Sequence, residues 1–458
     1  MRLSIFSMRP LRSLVFCLLA SASFVSAASK IFPYPYTQED LPNGLRLITI
    51  PTDYPNIVSL YIVVGAGSRN EVEAGKTGFA HLFEHLMFRG TAEYPPEKYT
   101  TTLKTAGAAS NAYTSSDLTA YHTTFSKEDL PTILSMEADR FQHLDYSEAD
   151  FKTESLAVLG EYNKNSAQPG YQLYETMRGT AFRVHPYSHT TMGFLKDVQN
   201  MPEGYQYSRD FFAHFYRPEY VTIIVAGDID SKKVRSLVDE RWGQWKRGAF
   251  KPAIPAEPAQ DGPRTAHVNW KTDTIPQLAV AWRGPAYSDN AVDTAALDAI
   301  AHLGYDQNSP LYQKLVVEDQ KVEAMDAQAP GNIDPGLFEV DLHVKDAKDL
   351  GSVEAQVKAV AQSFVDKPVD TKQLEALKQH MRYDFALGLN NSEAIASTVA
   401  SYVALRRTPE TINRYYDMIS KLTPADIQRV AKKYLMDKNL DVVTLTHGVS
   451  EPHDGGAK

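Results

Sequence analysis

The chain has 458 residues, too many for one ordinary core, so two domains of about 200 residues each are expected. Its 43% hydrophobic and 22% charged residues are those of a soluble globular protein, and a formal net charge of −9 argues against nucleic acid as a partner. There is one cysteine, Cys17, and beyond the amino-terminal segment no stretch approaches the roughly 18 uninterrupted apolar residues of a membrane span.

Residues 1–27, "MRLSIFSMRPLRSLVFCLLASASFVSA", combine three arginines, an apolar run and a small-residue end. This is the pattern of a secretory signal peptide cut after Ala27, so a periplasmic or otherwise secreted product is expected. Removing Arg2, Arg9 and Arg12 takes the formal charge from −9 to −12, because the segment holds no acid. Cys17 leaves with it, which excludes disulfides, thiolate metal sites and a cysteine nucleophile from the mature chain. Any metal must then be held by His, Asp or Glu.

From residue 28 to 245 a first unit opens with strand-like runs, "LRLITI" and "SLYIVVGAG". "GAGSRN" at residues 65–70 begins like a dinucleotide loop, but Asn70 stands where a third glycine is needed. The segment "AHLFEHLMFRGT" follows at residues 80–91. Taking 77–89 as a helix, Phe79, Leu82, Phe83, Leu86 and Met87 form one apolar stripe, with His81, Glu84 and His85 on the opposite face and Gly90 as the stop signal. Histidines at i and i+4 suit two nitrogens gripping one zinc ion, and Glu84 would point at the water that ion holds. Three protein ligands and a water make a hydrolytic site, since zinc lowers the water's pKa to about 7 and a carboxylate can then take its proton. The third ligand must come from another element. "YSEADFKTESLAVLGEYNKN" offers Glu154 and Glu161, two helical turns apart beside a stripe of Phe151, Val158, Leu159 and Tyr162, and helical geometry does not choose between them.

His185 and His189 have helical ligand spacing, but Pro186 directly after the first argues against a helix there. Residues 246–264, "KRGAFKPAIPAEPAQDGPR", read as an inter-domain linker. The second unit, 265–448, repeats the first in pattern. "HVNW" and "QLAVAW" are strand-like, the helix–turn–helix of residues 129–162 is echoed at 349–383, and "FYRPEYVTIIVAGD" is echoed by "YLMDKNLDVVTLTHG". Where the first unit has the histidine cluster, the second has "DTAALDAIAHLGYDQNSPLY", with no such motif. The fold class expected is α+β: two homologous domains, each a mixed, mostly antiparallel sheet with helices packed on one face. Residues 449–458 are expected to be a disordered tail.

"GSRNEVEAGKTGFAHLFEHLMFRGT" strongly resembles the inverted zinc-binding segment of the pitrilysin, insulin-degrading enzyme and mitochondrial processing peptidase family. Size and paired units resemble its processing-peptidase-like branch. The resemblance implies one zinc ion per chain at His81, His85 and Glu161, the last a glutamate 76 residues beyond His85, with Glu84 as general base. It also implies a role for Glu154, seven residues earlier, in orienting a ligand histidine. "SNAYTSS", residues 110–116, resembles the strand on which the family lays its substrate, with Asn111 and Ala112 bonding an extended peptide. Active members carry an arginine and a tyrosine in the second half; here those positions fall on Val316 and Glu323. The pattern fits the zinc-bearing subunit of bacterial heterodimeric members, whose homologous second subunit supplies both groups. The implied function is an exported zinc endopeptidase subunit acting on peptides or unfolded segments; the alternative is a non-catalytic scaffold or assembly subunit of the same fold.

Overall fold

The computed structural model describes residues 30–448, so the signal-peptide and tail readings fall outside the described residues. Along the first half run β1 (Thr37–Asp40), β2 (Arg46–Pro51), β3 (Ile57–Val64), α1 (Phe79–Leu86), α2 (Pro96–Thr105), β4 (Ala109–Thr114), β5 (Thr119–Ser126), α3 (Leu130–His143), α4 (Glu148–Ser166), α5 (Pro169–Ala181), α6 (Leu195–Asn200), α7 (Tyr205–Phe215), β6 (Val221–Gly227) and α8 (Ser231–Trp242). The second half continues with β7 (Arg264–Trp270), β8 (Gln277–Arg283), α9 (Asp293–Tyr305), α10 (Pro310–Tyr312), β9 (Val322–Gln328), β10 (Leu337–Val344), α11 (Leu350–Asp366), α12 (Thr371–Gly388), α13 (Ser392–Arg406), α14 (Glu410–Lys421), α15 (Pro424–Tyr434) and β11 (Leu440–His447).

The strands form two mixed sheets, in the orders β1-β2-β6-β3-β5-β4 and β7-β11-β8-β10-β9. In the first, β2 and β6 are parallel and the other pairs antiparallel. In the second, β7 and β11 are parallel and the rest antiparallel. The two orders superimpose once β1 is set aside: β2, β6, β3, β5 and β4 correspond to β7, β11, β8, β10 and β9. The helices follow, so α9 stands in the place of α1, α12 in that of α4, and α13 in that of α5.

One face of each sheet is covered by helices of its own half. The other face is covered by a helix from the opposite half. Helix α13 lies across β3 and β6 of the first sheet, where Ile395, Val399 and Val403 meet Ile48, Tyr61, Val63 and Ile224. Helix α5 lies across β7, β8 and β11 of the second, where Leu173 and Met177 meet Ala279, Ala281, Val443 and Leu445. This exchange explains why β3 (IVSLYIVV) and β6 (VTIIVAG) are apolar almost without interruption. A strand buried on both faces has no polar side to present. Burying Ile395, Val399 and Val403 contributes roughly 1.5–3 kcal/mol each before the ordering cost of the chain.

Both exchanged helices are tied down at their carboxyl ends by arginines of the half they visit, where unpaired carbonyls and the helix dipole favour a cation. Arg264 donates to the carbonyls of Thr180 and Ala181 at 3.0 and 2.8 Å, and Arg283 donates to Ala181 as well. At the end of α13, Arg46 donates to the Arg407 carbonyl at 2.6 Å, while the Arg407 guanidinium reaches the carbonyls of Glu219 and Val221, each at 2.9 Å. Arg178 on α5 forms an ion pair with Glu339 on β10. Residues 246–263 hold no helix or strand, yet Glu257 within them accepts the backbone N–H groups of Arg183, Val184 and His185 at 2.8–2.9 Å.

Because each half covers the other's second sheet face, residues 28–245 produced alone should aggregate or unfold without a cooperative transition, and should recover a sharp melt when co-expressed with residues 246–458. A soluble, cooperatively melting first half would show α13 to be dispensable.

Candidate metal centre

Helix α1 starts where its backbone can be held. Gly78 takes the left-handed conformation (φ +90°) and a side chain there would collide with the Met192 carbonyl. It has no side chain with which to cap the helix, and Glu71 does this instead. Its buried carboxyl accepts the N–H groups of Gly78 and Ala80 at 2.8 and 2.7 Å, and burial pushes it up to about 8 against those bonds. The helix is therefore shorter than the 77–89 read from the pattern. Thr77 is bonded to Asp197, Gly78 is not helical, and the last turn, Met87–Arg89, tightens to 3-10 geometry before Gly90 (φ +81°) ends it. The expected stripe of Phe79, Leu82, Phe83, Leu86 and Met87 is wholly buried, with Phe83 among the rings of Phe211, Phe212 and Tyr216.

That burial turns the opposite face of α1 toward α4. Nε2 of His81 and Nε2 of His85 lie 3.6 and 3.5 Å from one oxygen, Oε2, of Glu161. The ligand atoms of these three residues fall within 4.8 Å of one another, the one such group of His, Cys, Asp and Glu among the described residues. Two ligands about 2.0–2.1 Å from a tetrahedral zinc stand about 3.3 Å apart, so the set fits an N, N, O zinc site. His81 is buried and its pKa is pushed down to about 4, first by burial and then by His85, which leaves it neutral and ready to coordinate. Its Nδ1 is buried without a hydrogen-bond partner.

The two acids of α4, equivalent on helical geometry, separate here. Glu154 Oε2 meets the other nitrogen of His85, Nδ1, at 3.3 Å, while its Oε1 accepts from Arg89 at 2.6 Å. That bond raises the pKa of His85 above the ordinary histidine value despite burial, and the same bond, with Arg89, lowers that of Glu154.

Glu84 shares the polar face of α1, and its Oε2 accepts a hydrogen bond from Thr114 Oγ1 at 2.7 Å. Burial raises its carboxyl, against the Thr114 bond and the nearby His85. Thr114 closes β4, an edge strand whose free side carries no partner among the described residues. Asn111 and Ala112 lie on β4 opposite His122 and Tyr121 of β5. In the second half, Val316 sits in a π-helical turn, Gln313–Glu318, packed against the core, and Glu323 is exposed on β9. Three residues of the site were not singled out from the sequence: Glu71, Arg89 and Thr114. Arg89 carried a signal, standing four residues beyond His85. His185 and His189 form no metal group; His185 pairs with Asp334, and His189 Nδ1 with the Thr190 carbonyl.

Two family models match the chain: Insulinase (Peptidase family M16) over residues 46–194 and Peptidase M16 inactive domain over 205–381. The chain is 28% identical to the zinc protease PqqE of Helicobacter pylori over 447 residues, 96% of this chain and 99% of that one. It is 25% identical to the probable mitochondrial-processing peptidase subunit beta of Schizosaccharomyces pombe over 88% of this chain and 89% of that one. A crystal structure of a protease from Helicobacter pylori superimposes with a TM-score of 0.84 at 27% identity, covering 90% of this chain and 99% of that one. With the inverted His-x-x-Glu-His helix in the first matched segment and the same sheet order repeated through the second, this chain belongs to the M16, insulinase-like family of peptidases.

Proposed function

We propose that this chain is an exported zinc endopeptidase, or the zinc-bearing subunit of one, that hydrolyses peptides and unfolded segments. The observation that carries this reading is the convergence of His81, His85 and Glu161. Two imidazole nitrogens face one carboxylate oxygen at 3.5–3.6 Å with no hydrogen bond between them, a separation that a bridging cation accounts for. Zinc, when bound, supplies Lewis-acid polarisation of the scissile carbonyl and acidifies water at the site. Glu84 takes a proton from the attacking water and returns it to the leaving amine; its raised pKa brings it nearer the working pH of a general base. Glu154 fixes the ring and tautomer of His85. The free edge of β4 pairs with the substrate through the backbone of Asn111 and Ala112, which demands an extended chain and disfavours stably folded proteins.

Export rests on the pattern of residues 1–27, and among the described residues no helix is long and apolar enough to cross a membrane. Val316 and Glu323 leave the substrate side without the arginine and tyrosine of active relatives, so full activity requires a homologous second subunit that brings them. The same two residues favour a second reading, a non-catalytic scaffold. Stoichiometric zinc decides between the readings, because a scaffold has no use for it.

Hydrolysis of a mixed library of unstructured peptides should depend on zinc. Glu84→Gln should retain one zinc per chain and lose turnover by about 100-fold or more; retained turnover would remove Glu84 from the role of base. Full activity of the monomeric chain alone would dispose of the second subunit. In zinc titrations, Glu154→Gln should weaken affinity roughly 10- to 100-fold, with cleavage recovering at excess zinc; unchanged affinity would leave Glu154 without a part in the site. Since Glu154 holds a proton on His85 above the ordinary histidine range, and zinc must displace it, zinc affinity should rise with pH through that raised pKa. The midpoint of this rise should move to lower pH in Glu154→Gln.

A further inference from the structure

The strand correspondence puts α9 and α12 of the second half where α1 and α4 build the metal centre of the first. Between α9, α12, α13 and α14 lies a solvent-connected cavity of about 440 Å³. Helix α9 turns Asp298 and His302, spaced i and i+4 like His81 and His85, toward this cavity, and α12 contributes Asp384. They do not make a metal site. His302 Nε2 is 3.8 Å from Asp298 Oδ1 and its Nδ1 turns to Asp306 at 3.2 Å, while Asp384 is paired with His380 at 3.1 Å.

The chemistry of the walls points elsewhere. Five aromatic rings, Tyr287, Phe385, Tyr402, Tyr415 and Tyr416, stand around the cavity, adjacent ring centres 4.6–6.3 Å apart. Asp298 Oδ2 accepts from the Tyr415 hydroxyl, and Oδ1 lies 3.8 Å from His302 Nε2. The lining holds two carboxylates and, among the described residues, no lysine or arginine, while Met381, Leu405 and Pro330 add apolar surface. Aromatic faces and a partly used carboxylate around an apolar stem channel are complementary to one class of group, an organic cation on a short alkyl chain.

We propose that this cavity binds an alkylammonium or alkylguanidinium group, taken either from a free amine or from a lysine or arginine side chain of a peptide. The cation sits against Asp298 Oδ1 with its charge over the tyrosine faces. Tyr402 and Tyr416 pack against both the second core and the core under α13, so an occupant braces α9 and α12 against the helix that covers the first sheet. The proposal is independent of the chemistry at α1.

Calorimetric titration of the full mature chain, zinc-loaded and zinc-free, tests this with pentylamine, Nα-acetyl-lysine methylamide, Nα-acetyl-arginine methylamide and the neutral controls pentanol and acetyl-norleucine methylamide. Saturable one-to-one binding of pentylamine is expected in both metal states, with an increase in Tm, and should weaken about tenfold or more in Asp298→Asn. Binding of the blocked amino acids would identify a peptide side chain as an admissible occupant; binding of pentylamine alone would restrict the site to free amines. Should Asp298→Asn fail to fold, Asp384→Asn at the half-exposed rim carries the same test with a several-fold loss expected. Neutral controls that bind as well as the cations, affinity untouched by removing either carboxylate, or no cation binding at millimolar concentration would each overturn the proposal.

Discussion

The fold depends on a requirement that every sheet with two apolar faces imposes: both must be covered. Each half of this chain has helices enough for one face, and the other is closed by a helix from the opposite half. The arrangement makes the halves mutually necessary. It also explains the placement of the arginines. A helix crossing into a foreign half arrives with its last carbonyls unpaired, and Arg264, Arg283 and Arg46 are stationed at those two landing points. The site inherits its geometry from this frame, because α1 is packed against β4 and β5 of the sheet that α13 covers from behind, and α4 is packed against α1.

At the centre itself, one helix serves two purposes by strict division of its faces. The buried stripe of α1 fixes its rotation, and rotation alone brings His81, Glu84 and His85 to bear on α4 and β4. Electrostatics then gives each polar residue a different character. His81 is kept neutral by burial, His85 is kept basic by Glu154, and Glu84 is raised by burial yet restrained by Thr114. These three groups on one helix face are thus held at different proton affinities by their surroundings.

Much of this was legible in the chain. The 3.6-residue stripe of residues 79–87 set which face of α1 is buried, and the repeated helix–turn–helix and turn–strand patterns gave two related α+β halves with mostly antiparallel sheets. What was not legible depended on long-range placement. Glu154 and Glu161 are two turns apart on one face, and only the approach of α1 distinguishes them. Glu71 resembles any surface acid in sequence, because its role as a cap comes from the chain folding back seven residues later onto Gly78. The exchange of α5 and α13 left a trace in the unbroken apolar runs of β3 and β6, but such a run says that a second face is covered without saying by what.

The interlocking of the halves has a kinematic consequence. A bilobed enzyme admits a polymer by opening a hinge between its lobes. Here a hinge would have to withdraw α5 and α13 from cores in which their apolar sides are sealed, and the connecting segment is itself stitched to the first half through Glu257. A hinge motion between the halves would therefore expose apolar surface on both exchanged helices and on the two sheet faces they cover.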